Sequence, residues 1–89
     1  MERPITVGSI VYSLAGRDEG RYYMVLEILD ASHVTIVDGD VRKLERPKKK
    51  KIKHLKNTGE VLENIAGKVF TSAKIYDAEI FSALRKYNS

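Results

Sequence analysis

Apolar and polar positions alternate through the first third of the chain. Residues 8–29 read Gly-Ser-Ile-Val-Tyr-Ser-Leu-Ala-Gly-Arg-Asp-Glu-Gly-Arg-Tyr-Tyr-Met-Val-Leu-Glu-Ile-Leu. An extended chain points successive side chains to opposite faces, so a period of two predicts strands over 7–14 and 21–29. Ile10, Tyr12 and Leu14, with Tyr22, Met24, Leu26 and Ile28, are the expected core face. Ser9, Val11 and Ser13, with Arg21, Tyr23, Val25 and Glu27, take the other. Between the strands lies a polar knuckle bracketed by Gly16 and Gly20, where glycine admits positive φ at little steric cost. The expected unit is a β-hairpin with a charged tip.

Shorter signals follow. Pro4 makes residues 1–6 a lead-in. Residues 30–33, Asp-Ala-Ser-His, form a turn, and the β-branched run 34–37 a third strand. Asp38-Gly39-Asp40 is a hairpin signal that predicts a fourth strand over 41–44. Pro47 leaves 46–53 as an edge strand or a loop, with a short fifth strand over 52–55. Short strands with such regular turn signals predict a small barrel or sandwich.

The texture changes at residue 57. Apolar residues at 61, 62, 65 and 66 behind Thr58 predict a helix over 58–67, with Gly67 just past its end. Asp77 is the expected cap of a last helix, with Glu79 in its first turn, Arg85 and Lys86 in its last, and Ile80, Phe81, Leu84 and Tyr87 as its apolar stripe. Helices this short do not persist alone, so both must dock. The expected organisation is a barrel over 6–56 and a helical extension over 57–89 packed on it.

Composition narrows the function. The chain has 89 residues, 43% apolar and 31% charged, and no cysteine. Disulfides, zinc–thiolate sites and thiol nucleophiles are therefore excluded. No apolar run approaches the roughly 18 residues of a membrane span, and the opening residues lack the apolar core of a secretory leader. The cytoplasm is the expected location. Residues 42–56 hold nine bases against Glu45, a net of +8 in a chain whose total is +4. The remainder is therefore acidic. Such a stripe is an electrostatic address for a polyanion.

Within it, the run Lys48–Lys51 is the strongest functional signal. Adjacent ammonium groups repel one another, but beside phosphates they release counterions and gain affinity. The competing reading is a solvated edge that discourages strand-to-strand association; a nuclear-localisation reading finds no further support. Tyr23 shares a face with Arg21, so it either stacks on nucleobases or is covered by the C-terminal helices. His33 and His54 lack companions at metal-ligand spacing. Asp38 and Asp40 flank Gly39 as turn formers rather than an acid–base pair. Gly8, Gly16 and Gly20 lack phosphate-cradle spacing. No catalytic set, cofactor or small-molecule substrate is expected.

Residues 8–29 resemble the KOW motif, a β-hairpin signature of several ribosomal proteins and of transcription elongation factors of the NusG type. The match rests on Gly8, on the knuckle from Ala15 to Arg21, and on the strand Met24-Val25-Leu26-Glu27-Ile28. Residues 34–42 and Lys53-His54-Leu55 are similar to the eukaryotic-type large-subunit ribosomal proteins fourteen, six and twenty-seven. Small bacterial KOW-domain RNA-binding proteins are also similar to it. The resemblance covers about residues 6–56. Tyr22 and Tyr23 stand where many such segments carry a further glycine, and the C-terminal helices lie outside the motif.

What the resemblance implies is an SH3-like barrel that docks on ribosomal RNA. The expectation is a non-catalytic RNA-binding module in translation or ribosome biogenesis, with ribosomal RNA, other structured RNA and ribosomal proteins as candidate partners. Its RNA-binding residues are expected to be Arg17, Arg21, Tyr23, Arg42, Lys43, Arg46, Lys48, Lys49, Lys50, Lys51, Lys53, His54 and Lys56. Two competing expectations remain: a protein-interaction module with an apolar patch around Tyr23, Val25 or Phe81, and a DNA binder.

Overall fold

A computed structural model describes residues 4–89; the first half of the lead-in lies outside the described residues. Five strands, β1 (Ser9–Ser13), β2 (Tyr22–Ile28), β3 (His33–Val37), β4 (Lys48–Lys51) and β5 (Leu55–Val61), precede helices α1 (Glu63–Phe70) and α2 (Asp77–Asn88). A 3-10 turn, Ile52–His54, joins β4 to β5. The strands form one antiparallel sheet in the order β4-β3-β2-β1-β5. The fold is mainly β, with two C-terminal helices.

The predicted hairpin is there, and Gly16 and Gly20 take φ of 81° and 87°. Both of its faces are buried. Ile10, Met24 and Val37 pack with Ile65 of α1 and Ile80 and Leu84 of α2. On the opposite face Val11, Tyr23 and Val25 pack with Val34, Ile36 and Leu55. The face expected to be the only core thus lies under the helices, and the face expected to be polar lines a second apolar cluster. Two expected core residues are half-open to solvent, Leu14 at the end of β1 and Ile28, 43% exposed. A bulge between Val25 and Glu27 shifts the parity of β2, so Ile28 pairs with Val34 and leaves the Met24 face.

The greatest departures lie after β3. No strand forms over 41–44, and residues 38–47 make a loop. Asp38 Oδ1 accepts the backbone N–H groups of Asp40 (3.0 Å) and Arg42 (2.8 Å), which folds the segment into a turn. Gly39, at φ 78°, leaves no room for a Cβ, which would overlap the Asp77 carbonyl. The helix predicted over 58–67 forms, but displaced to 63–70. Thr58 to Val61 continue β5, and Thr58 Oγ1 donates to the Ile10 carbonyl at 2.7 Å. Without β5 the outer edge of β1 would be unpaired, and satisfying buried backbone groups outweighs a marginal helical pattern. The boundary between sheet and helices therefore falls at Leu62, and Gly67 is inside α1.

α2 begins where predicted, but Asp77 does not cap it. Its Oδ1 accepts the Leu44 N–H (2.8 Å), while Glu79 Oε2 accepts the N–H of Tyr76 at 3.1 Å. Burial of Ile80 and Leu84 supplies about 2 kcal/mol each, which holds a helix too short to stand alone. Phe81, expected in the stripe, points largely outward. At the other end the Asn88 amide pairs with both backbone groups of Tyr22, at 2.8 and 3.0 Å.

Candidate nucleic-acid interface

The hairpin tip folds against the loop 38–47 and the β4 edge, and the predicted binding residues divide there into two sets. The first set is paired to two buried acids, and of its cations Lys50 is itself buried. Asp18, buried in the knuckle, receives Arg42 Nε on Oδ1 at 2.9 Å and Lys50 Nζ on Oδ2 at 3.4 Å. Lys50 Nζ also donates to the Ala15 carbonyl at 2.7 Å. Beside them Arg21 Nη2 reaches the buried Asp38 Oδ2 at 3.3 Å. These cations staple the tip to the sheet.

Tyr23 belongs to the same region. It is 1% exposed, lies in the second apolar cluster with Val11, Val25, Val34, Ile36 and Leu55, and its hydroxyl donates to Asp18 Oδ1 at 3.5 Å. It presents no ring face to a nucleobase, and the apolar cluster within the sheet, rather than the helices, covers it. Burial, with the nearby Asp18 and Asp38 carboxylates, pushes its pKa up to about 12. Burial also works against ionisation of Asp18, but the Arg42 hydrogen bond and the charges of Arg42 and Lys50 outweigh it and hold the carboxyl below its ordinary value. Lys50, 8% exposed, is likewise closed to a ligand. The expectation that the run Lys48–Lys51 contributes nothing to the fold fails at this one residue.

The second set faces water. Arg17, Lys43, Arg46, Lys48, Lys49, Lys51, Lys53 and Lys56 are exposed, and none forms an ion pair with another described residue. β4 is an edge strand paired only with β3, in the register Ile36↔Lys48, Thr35↔Lys49, Val34↔Lys50 and His33↔Lys51. Alternation sends Lys49 and Lys51 to one face and Lys48 and Lys50 to the other. Lys53 follows in the 3-10 turn, whereas Lys56 lies on β5 at the far end of the sheet order. His54 is half-buried, and its carbonyl accepts the Leu14 N–H at 2.8 Å.

Two features escaped sequence reading. Asp18 reads as one of several charges on an exposed tip, and nothing local marks it as a buried hub. His33 lies across from Lys51 and beside an open cleft of about 490 Å³, lined by Ala31, Ser32, His33, Lys51, Ile52 and Lys53. Among the described residues no group of three or more His, Asp or Glu is placed to hold a metal ion, and no helix is long and apolar enough to cross a membrane. No known protein-family model matches the chain.

Proposed function

We propose that this chain is a non-catalytic RNA-binding module of the KOW type, built on an SH3-like barrel and acting in translation or ribosome biogenesis on ribosomal or other structured RNA. Three features support the barrel reading: a β1–β4 meander, a fifth strand returning beside β1, and a 3-10 turn before it. One observation carries the binding reading. The two buried acids that face the basic segment, Asp18 and Asp38, are neutralised internally by Arg42, Lys50 and Arg21, which leaves Glu45 as the one acid within the segment. Among the described residues Lys43, Arg46, Lys48, Lys49, Lys51 and Lys53 form no ion pair. Six such cations against the single acid of the segment leave a net positive field facing outward, as phosphate binding requires.

If about five phosphates of a single strand are neutralised, the log–log salt dependence of binding has a slope near −3.5. Replacing Lys48, Lys49 and Lys51 together with Gln reduces that slope by about 2 in magnitude and weakens binding regardless of sequence. An unchanged slope refutes the reading. Crosslinking in cells, followed by sequencing of the bound RNA, identifies the target.

A second reading, a protein-interaction module, draws on Val41, Phe70, Tyr76 and Phe81, large apolar side chains that stand exposed, Phe70 at 74%. Tyr23 and Val25, expected in such a patch, are buried and take no part. This reading requires a salt-tolerant partner and no retention on immobilised RNA.

A further inference from the structure

The cleft beside His33 is assembled from two turns held in fixed register. One wall is the β2–β3 turn, where Asp30 Oδ1 accepts the N–H groups of Ser32 (2.7 Å) and His33 (2.8 Å). The other is the passage from β4 into the 3-10 turn. The Ile52 N–H donates to the Ser32 carbonyl at 2.8 Å and ties the walls together, while the His33↔Lys51 pair closes one end. Lys51 and Lys53 line the cleft with no ion-pair partner among the described residues. Its volume falls within the roughly 300–1,000 Å³ of small-ligand sites, more than a lone phosphate fills.

His33 Nδ1 lies 3.1 Å from Asp30 Oδ1. The Ser32 N–H and the His33 ring hold the Asp30 carboxyl below its ordinary value, so it is an anionic acceptor, and the 3.1 Å contact suits the tautomer with its proton on Nδ1. Nε2 is then the nitrogen left for a ligand, and in the neutral ring it is an acceptor. The Asp30 charge turns a phosphate away from the His33 ring, and the ammonium groups of Lys51 and Lys53 attract it. A group that donates a hydrogen bond is therefore suited to His33, in a ligand whose anion lies on the lysines. A ribonucleotide combines the two, because its 2′-hydroxyl is absent from DNA.

We infer that this cleft takes one ribonucleotide of a bound strand, with the phosphate between Lys51 and Lys53 and the ribose 2′-hydroxyl on His33 Nε2. The inference rests on the RNA-binding reading and adds to it a means of telling RNA from DNA. Asp30 is a positioning residue that orients the ring.

Fluorescence anisotropy on the full chain, with labelled octauridylate and octadeoxyuridylate, isolates the 2′-hydroxyl. The wild-type protein prefers the ribo strand by about threefold to tenfold, the worth of one hydrogen bond. His33→Ala brings that ratio to about one and leaves the deoxy affinity unchanged. Lys51→Gln with Lys53→Gln weakens both strands by the same factor. Should His33→Ala fail to fold, the ring nitrogens of His33 in the wild-type protein are followed by NMR, and they must shift with the ribo strand and not with the deoxy strand. A ribo preference that survives His33→Ala, or no preference in the wild type, overturns the inference while salt-dependent binding upholds the parent reading. Failure to bind either strand overturns both.

Discussion

Lys50 and its neighbours Lys49 and Lys51 are chemically identical and consecutive on one strand, yet they belong to different parts of the molecule. Lys50 is buried between the hairpin tip and the sheet, bonded to Asp18 and Ala15. Lys49 and Lys51 stand in water on the opposite face. A strand's period of two sets neighbours on opposite faces even in a homopolymeric run. Lys50 joins Asp18, Arg42, Tyr23, Arg21 and Asp38 in a cluster that shapes the tip, while Lys48, Lys49 and Lys51 carry the field. Charge density alone does not identify a binding surface, because cations with buried partners are structural.

The largest expected effect comes from removing the hub. Asp18→Ala leaves Lys50 buried without a carboxylate and costs about 3 kcal/mol, read from urea denaturation. A loss below about 1 kcal/mol would place Asp18 with the surface charges instead. Lys50→Gln, which leaves Arg42 on Asp18, costs about 1–2 kcal/mol. The same change at Lys49 must not, or the distinction between them collapses.

Acid offers a second way in. The Asp18 carboxyl is depressed in the folded state, so its stabilisation is fully present above the unfolded carboxylate value of about 3.9 and is lost as pH falls through the lower folded value. Acid titrations of stability must therefore show a steeper limb below about pH 4 in the wild-type protein than in Asp18→Asn.

Tyr23→Phe removes only a long hydrogen bond and costs less than about 1 kcal/mol of stability. It leaves RNA affinity intact, whereas loss of a stacked base would cost about 1–3 kcal/mol. The smallest stability effect belongs to Lys49→Gln with Lys51→Gln, within about 0.5 kcal/mol. That pair must nonetheless reduce the salt slope by about 1.4 in magnitude.

Part of the site was legible before any fold was known. The basic segment stands out by count, and six of its exposed members, Lys43, Arg46, Lys48, Lys49, Lys51 and Lys53, lie between the end of β3 and the start of β5. The burial of Tyr23 and Lys50 was not legible, because it depends on residues distant in the chain, Leu55 for Tyr23 and Asp18 for Lys50. Arg21 and Arg42 keep part of their surface in water while they hold Asp38 and Asp18. His33 carried no signal, since its counterpart Lys51 becomes its neighbour only through strand pairing.

Local chemistry in the chain alone determined the opening hairpin with its glycine-bracketed knuckle, the β-branched third strand, the last helix and the concentration of positive charge. Each of these depends on residues within a few positions of one another. Tertiary structure decided that both faces of the hairpin are buried, that residues 58–61 extend a strand, and that one lysine of four turns inward. Alternation records that neighbouring side chains diverge, not what covers them. The cover over Ile10 and Met24 arrives with Ile65, Ile80 and Leu84, and the pull on residues 58–61 is the unpaired edge of β1.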